Sequence, residues 1–188
     1  MPQLVFFLEE PSAKAMLEGL VPRIIPPGTD CRYFAFEGKQ DLEKQLVRKL
    51  RGYLVPDAAF IVIRDQDSGD CRAIKDRLKG LCLQAGRPEA IIRIACRELE
   101  SWDLADLPAL AKAYNQPELS RHADRSRFRI PDDIVTPSRE LKRMLPAYQK
   151  IDGSRRMGRL MDPDNLKSGS FALLVRTLRR ICVHEEES

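Results

Sequence analysis

Three short acidic clusters could do chemistry in this chain: Glu9-Glu10, Asp65-Gln66-Asp67 and Glu98-Leu99-Glu100. Carboxylates gathered in one place repel one another unless a cation lies among them, and their hard oxygens suit Mg²⁺ or Mn²⁺. Glu9, Glu10, Asp65, Asp67, Glu98 and Glu100 are therefore candidate metal ligands. Asp65 and Asp67 are two apart, so an extended backbone aims both the same way. Glu98 and Glu100 share that spacing if they precede a helix, and diverge if they lie on one. Each cluster has a plainer reading by itself. Asp70 suits the cap of a helix, Glu9-Glu10 the acidic first turn of one, and Glu98 or Glu100 a solvated helix face. Three clusters at equivalent places in the fold favour the metal site.

Those places come from the elements. Residues 3–9, 32–36, 60–63 and 91–95 read as short strands, the third uninterruptedly apolar as a strand covered on both faces must be. Helical spacing separates them: Ala13 to Val21, Leu42 to Leu50, and Ile74 to Cys82. The alternation predicts an α/β fold, with a parallel, Rossmann-like four-stranded sheet flanked by helices. Residues 1–103 form that core. Residues 104–188 form a C-terminal helical, basic extension of the same domain, with helices expected near 104–114, 138–147 and 168–183. In an open parallel sheet, ligands bind at the carboxyl ends of the strands. Three of the four strands end in the acidic clusters.

The 188 residues carry 32 Lys or Arg against 28 Asp or Glu, a net charge of +4. Residues 121–160 hold eleven basic and five acidic side chains, so this segment alone is +6. Such a concentration suits a phosphate-backbone surface, and Arg139, Lys142, Arg143, Arg155 and Arg156 are its candidate nucleic-acid contacts. The alternative is a solvated region whose arginines pair with acids elsewhere. A hydrophobic fraction of 43% and a charged fraction of 32% describe a globular chain. The apolar run 4–8 is too short for a membrane span and lacks the basic flank of a signal peptide. Five cysteines without a C-x-x-C pair indicate neither a disulfide framework nor a zinc site, which suits reducing cytoplasm.

Two histidines, His122 and His184, give a His-based triad or zinc hydrolase little to stand on, and both read as surface residues. No G-x-x-x-x-G-K-[ST] or G-x-G-x-x-G loop occurs, so any ATPase activity belongs to a partner. Aromatic residues are 6% of the chain, too few for base-stacking recognition. Trp102 and Tyr148 read as packing residues, Ser168 and Ser170 as the cap of the last helix, and Glu185-Glu186-Glu187 as a frayed tail.

Leu4-Val5-Phe6-Phe7-Leu8-Glu9-Glu10 followed by Ile61-Val62-Ile63-Arg64-Asp65-Gln66-Asp67-Ser68-Gly69 resembles a Toprim domain, with its strand-one glutamate and its D-x-D after strand three. Arg97-Glu98-Leu99-Glu100-Ser101-Trp102 is similar to the R-E-[IL]-E-N-Y stretch of Toprim nucleases of the overcoming-lysogenization-defect (OLD) group. The whole chain resembles an uncharacterised bacterial family of Toprim-like proteins, often encoded beside an ATPase in phage-defence modules. Glu10 departs from the glycine common at that position, and Ala13 stands where OLD-type sequences often have a second glutamate. The resemblance implies a Toprim-like sheet and metal-dependent phosphodiester hydrolysis. It assigns one metal to Glu9, Asp65 and Asp67, and a second to Glu100 with Glu98. Lys150 corresponds to a late lysine that offsets transition-state charge. The implied partners are DNA or RNA and an ATPase. Two rival readings stand beside it. One is a non-catalytic Toprim-like module that binds protein or nucleic acid. The other is a receiver-like phosphoacceptor, against which the absence of a fifth-strand Lys-Pro counts.

Overall fold

Alternating faces of four short apolar runs build the centre of the molecule. The computed structural model describes residues 3–183. β1 (Leu4–Leu8), β2 (Cys31–Ala35), β3 (Ala59–Asp65) and β4 (Ile91–Ala95) pair in the order β2-β1-β3-β4, and every pairing is parallel. β1 and β3 are central and buried along almost their whole length, which is why neither shows a polar alternation. α1 (Pro11–Leu20), α2 (Lys39–Arg51) and α3 (Cys71–Gln84) are the crossovers.

The sheet divides two cores. Val5, Phe7, Phe60, Val62 and Ile92 pack with Leu42, Leu46, Ile74 and Leu78 of α2 and α3. Leu4, Phe6, Leu8, Ile61 and Ile63 face α1 and the C-terminal helices. These are α4 (Glu100–Ala105), α5 (Leu107–Tyr114), α6 (Pro137–Met144), α7 (Lys150–Leu160) and α8 (Gly169–Val183), with short 3-10 turns between α5 and α6. Leu141, Met157, Phe171 and Leu178 belong to the same cluster as Phe6, so the extension completes the core of the sheet. Cys82 and Cys182 are buried, one in each core, as small apolar side chains. Among the described residues, no helix is long and apolar enough to cross a membrane.

Several boundaries differ from the sequence expectation. The expected helix at 104–114 begins at Glu100 and breaks at Asp106, whose side chain turns to cap Ala109 (3.0 Å) at the start of α5. α7 was not anticipated. Asp70 accepts from the Ala73 amide (2.7 Å), as expected of a cap, and Ser168 does the same for Phe171 (3.1 Å). His122 is half-buried, edge-on to Phe128, and not on the open surface. His184 and Glu185–Glu187 lie outside the described residues.

Candidate functional site

β1 is the strand at which the chain turns from one side of the sheet to the other, since β2 lies on one flank and β3 on the other. The ligand crevice of such a sheet, outside the carboxyl ends at the switch point, falls between β1 and β3. Leu8 is level with Ile63, and neighbouring strands run about 4.8 Å apart, so Glu9 follows level with Arg64 and Asp65 emerges one residue further on. The Asp65 amide donates to Glu9 Oε2 (3.0 Å). A cleft of about 380 Å³ opens there, lined by Glu9, Glu10, Asp65 and Asp67 together with Lys39, Lys150 and the 37–40 turn.

Each acid is placed by its element. Glu10 precedes α1, and Pro11 at the first helical position fixes where the helix begins. Asp65 ends β3 and is 8% exposed. Burial, then the charges of Glu10, Glu100 and Glu9, hold its carboxyl well above the ordinary range, with Lys150 opposing. Glu100 opens α4 and is 1% exposed. Burial raises its pKa, Lys150 opposes the rise, and its Oε2 has no hydrogen-bond partner. Burial also raises Glu9, against the hydrogen bond from Asp65. The extended-backbone argument does not hold for Asp67, which sits in a left-handed turn (φ 54°) and pairs with Lys39 (2.8 Å). Glu98 and Glu100 diverge, because the helix has begun. Glu98 accepts from the Ser138 amide (2.7 Å) at the start of α6, outside the cleft lining.

Lys150, the first residue of α7, is in direct contact with Glu10 and 3.6 Å from Glu100 Oε1. Burial works against its charge, but Glu100 and Glu10 outweigh burial and hold the ammonium above its ordinary pKa. The glycines of α1 and α7 bring Lys150 here. A Cβ on Gly158 would lie 2.0 Å from the Met16 carbonyl oxygen, and one on Gly19 3.0 Å from the Gly158 carbonyl carbon. The two helices therefore touch backbone to backbone, and their N-termini reach the cleft together.

Several residues escaped the sequence reading. Arg64, buried in β3, reaches Glu9 (3.7 Å) and pairs with Glu43 of α2, which also holds Arg77 of α3 (2.6 Å). A charged residue inside a strand covered on both faces signalled such a pairing. Asp103, one turn after Glu100, is fully buried, and its carboxylate accepts from the Tyr148 hydroxyl (2.8 Å). Their i, i+3 spacing was the available signal. Trp102 is a core residue whose indole donates to Ser170 (2.9 Å). In the basic segment, Arg143 pairs with Glu140 (2.7 Å), and Lys142 donates to the Tyr148 carbonyl (2.7 Å). Arg156 pairs with Asp152 (2.8 Å) and lies over the Tyr114 ring. Arg139 and Arg155 are exposed, and no partner is present for them among the described residues.

The donor set suits a hard cation in chemistry: carboxylates driven toward protonation by burial and then by one another, and a buried glutamate oxygen without a partner. The side chains as they stand do not converge on one. Among the described residues, no three His, Cys, Asp or Glu side chains form a group able to hold a metal ion. Two ammonium groups, of Lys39 and Lys150, neutralise the cluster instead.

No curated protein and no solved structure matches the chain. Residues 8–179 match a domain of unknown function, DUF4276, from the end of β1 into α8. The match takes in all four strand ends and every acid of the cleft, and the chain belongs to the DUF4276 family.

Proposed function

We propose that the protein is a divalent-metal-dependent nuclease that hydrolyses phosphodiester bonds in DNA or RNA. One observation carries the reading: Glu9, Glu10, Asp65 and Glu100 gather from three strand ends at the switch point of a parallel sheet, with a lysine held among them. The resemblance of the acidic motifs to Toprim nucleases of the OLD group supports the choice of phosphodiester chemistry. It also supports an ATPase partner and a role in defence or DNA processing.

Asp65, Glu9 and Asp67 would hold Mg²⁺ or Mn²⁺, which supplies Lewis-acid polarisation and lowers the pKa of a nearby water. Asp67 becomes available when Lys39 turns back into solvent, a small cost for an exposed pair. Lys150 offsets charge that develops on the phosphate in the transition state. Arg139 and Arg155 are exposed and available to hold the polymer backbone. The test is cleavage of single- and double-stranded DNA and RNA with Mn²⁺, alone and with an ATPase encoded beside the protein. Activity that disappears in Asp65→Asn and with a chelator supports the reading. Activity that survives both, or no cleavage of any substrate, refutes it.

A second reading has its own observation, the two lysines that already balance the cluster. A non-catalytic module would use these ion pairs as structure and bind protein or nucleic acid through its basic segment. Its affinity for nucleic acid would fall with salt and be indifferent to Asp65→Asn.

A further inference from the structure

The 3-10 turns between α5 and α6 form a second groove, of about 490 Å³ against about 380 Å³ for the acidic cleft. Ser126, Arg127, Arg129, Ile130, Asp133 and Val135 line it, within the segment whose net charge is +6. The fold holds these turns in place. Phe128 and Ile134 are sunk in the core, and Asp132 Oδ2 accepts from the Ser170 amide (2.9 Å) at the start of α8. With those neighbours anchored inward, Ile130 and Val135 are turned out, 53% and 70% exposed. Arg129 is exposed with no partner among the described residues, and Arg127 stays 55% exposed although it pairs with Glu140.

This mixture of side chains selects what can lie there. Guanidinium groups attract an anionic polymer, but Ile130 and Val135 gain nothing from phosphate, and the Asp133 carboxylate repels it. A duplex turns its phosphates outward and stacks its bases within. An unpaired strand offers phosphates and base faces together. The faces settle on apolar side chains and on the plane of an arginine, and a carboxylate accepts from a base amino group. The groove also lies where such a strand would be used. It ends at Thr136, directly before α6, and there the Ser138 amide donates to Glu98 Oε2 (2.7 Å), two residues from Glu100. The Arg97 carbonyl in turn accepts from the Asp67 amide (2.7 Å), so the turn after β4 lies between groove and cleft.

We infer that this groove binds single-stranded nucleic acid, with a phosphate on Arg129 and an unpaired base against Ile130 and Val135, beside the strand-end acids. This rests on the nucleic-acid substrate proposed above and not on the metal, so binding is measured in EDTA. Labelled single strands of DNA and RNA, and the DNA duplex, are titrated with the full chain and followed by fluorescence anisotropy. The wild type is expected to bind single strands about tenfold more tightly than the duplex. Replacing both exposed apolar side chains, Ile130→Ser with Val135→Ser, leaves the charge alone and is expected to abolish that preference. Single-strand affinity falls about tenfold, while duplex affinity and both salt slopes hold. Arg129→Ala is expected to flatten the single-strand salt slope by about 0.7. Equal affinity for strand and duplex in the wild type, a folded double variant that keeps the preference, or an unchanged slope in Arg129→Ala overturns the inference and leaves the nuclease reading intact. So does displacement of the single strand by an acidic peptide of equal charge as readily as by unlabelled DNA, which would place a protein in the groove. Failure to bind any nucleic acid removes both.

Discussion

Asp103 is fully buried three residues beyond Glu100, and its carboxyl is pushed up to about 8. Burial is the main cause; the Tyr148 hydrogen bond opposes it and the charge of Glu100 adds to it. An unfolded aspartate titrates near 3.9. Between those values the folded chain keeps a proton that the unfolded chain has released, so this residue makes folding less favourable as pH rises through the window. Asn is the neutral isostere and still accepts from the Tyr148 hydroxyl. Asp103→Asn is expected to match the wild type near pH 4 and to melt progressively higher than it toward pH 8. Each pKa unit is about 1.4 kcal/mol, so the gain at pH 8 reaches several kcal/mol as a ceiling. Thermal melts across that range check it. Equal pH slopes for the two proteins would mean that Asp103 is ionised in the fold and held by something other than Tyr148.

α1 and α7 meet through glycines, and the element-scale consequence is an order of severity. Gly158→Ala drives a methyl into the Met16 carbonyl at 2.0 Å, where rigid backbone must move. Gly19→Ala meets its neighbours at 3.0 Å and beyond, where a few tenths of an ångström of adjustment suffice. Overpacking costs about 1–3 kcal/mol. Gly158→Ala is expected at or above the top of that range and Gly19→Ala near the bottom, measured by urea unfolding with unchanged m-value. The same packing explains why α7 was not legible in the sequence. A helix held by Gly153 and Gly158, with Met157 as its buried large side chain, shows no apolar period. The strands were legible for the opposite reason: β1 and β3 are covered on both faces, so burial writes itself as an unbroken run such as Leu4–Leu8. The acids at the strand ends followed from topology alone. Of their counter-charges, Lys150 came only from the resemblance; Lys39, at the start of α2, and Arg64, inside β3, were missed because their approach to Asp67 and Glu9 exists only in three dimensions.

For the molecule as a whole, the acidic cleft and the basic segment 121–160 must share a substrate if the proposed activity is right. Part of the positive charge is spent within the fold. Arg143 serves Glu140, Lys142 serves the Tyr148 carbonyl, and Arg156 joins α7 to α5 through the Ala113 carbonyl (3.0 Å) and the Tyr114 ring. Arg139 in the first turn of α6 and Arg155 in α7 remain exposed, with no partner among the described residues. Each phosphate neutralised by a basic side chain contributes about −0.9 to the slope of log affinity against log salt on duplex DNA. Arg139→Ala and Arg155→Ala are each expected to weaken binding of all sequences alike and to flatten the slope by about one unit, the double variant by about two. Arg156→Ala is expected instead to lower the melting temperature, because it removes a joint between helices. Fluorescence anisotropy with a labelled duplex at several salt concentrations, with Ca²⁺ replacing Mg²⁺ to slow cleavage, measures the slopes. A double variant with the wild-type slope would take both arginines out of the phosphate contacts and move the interface to another face of the protein.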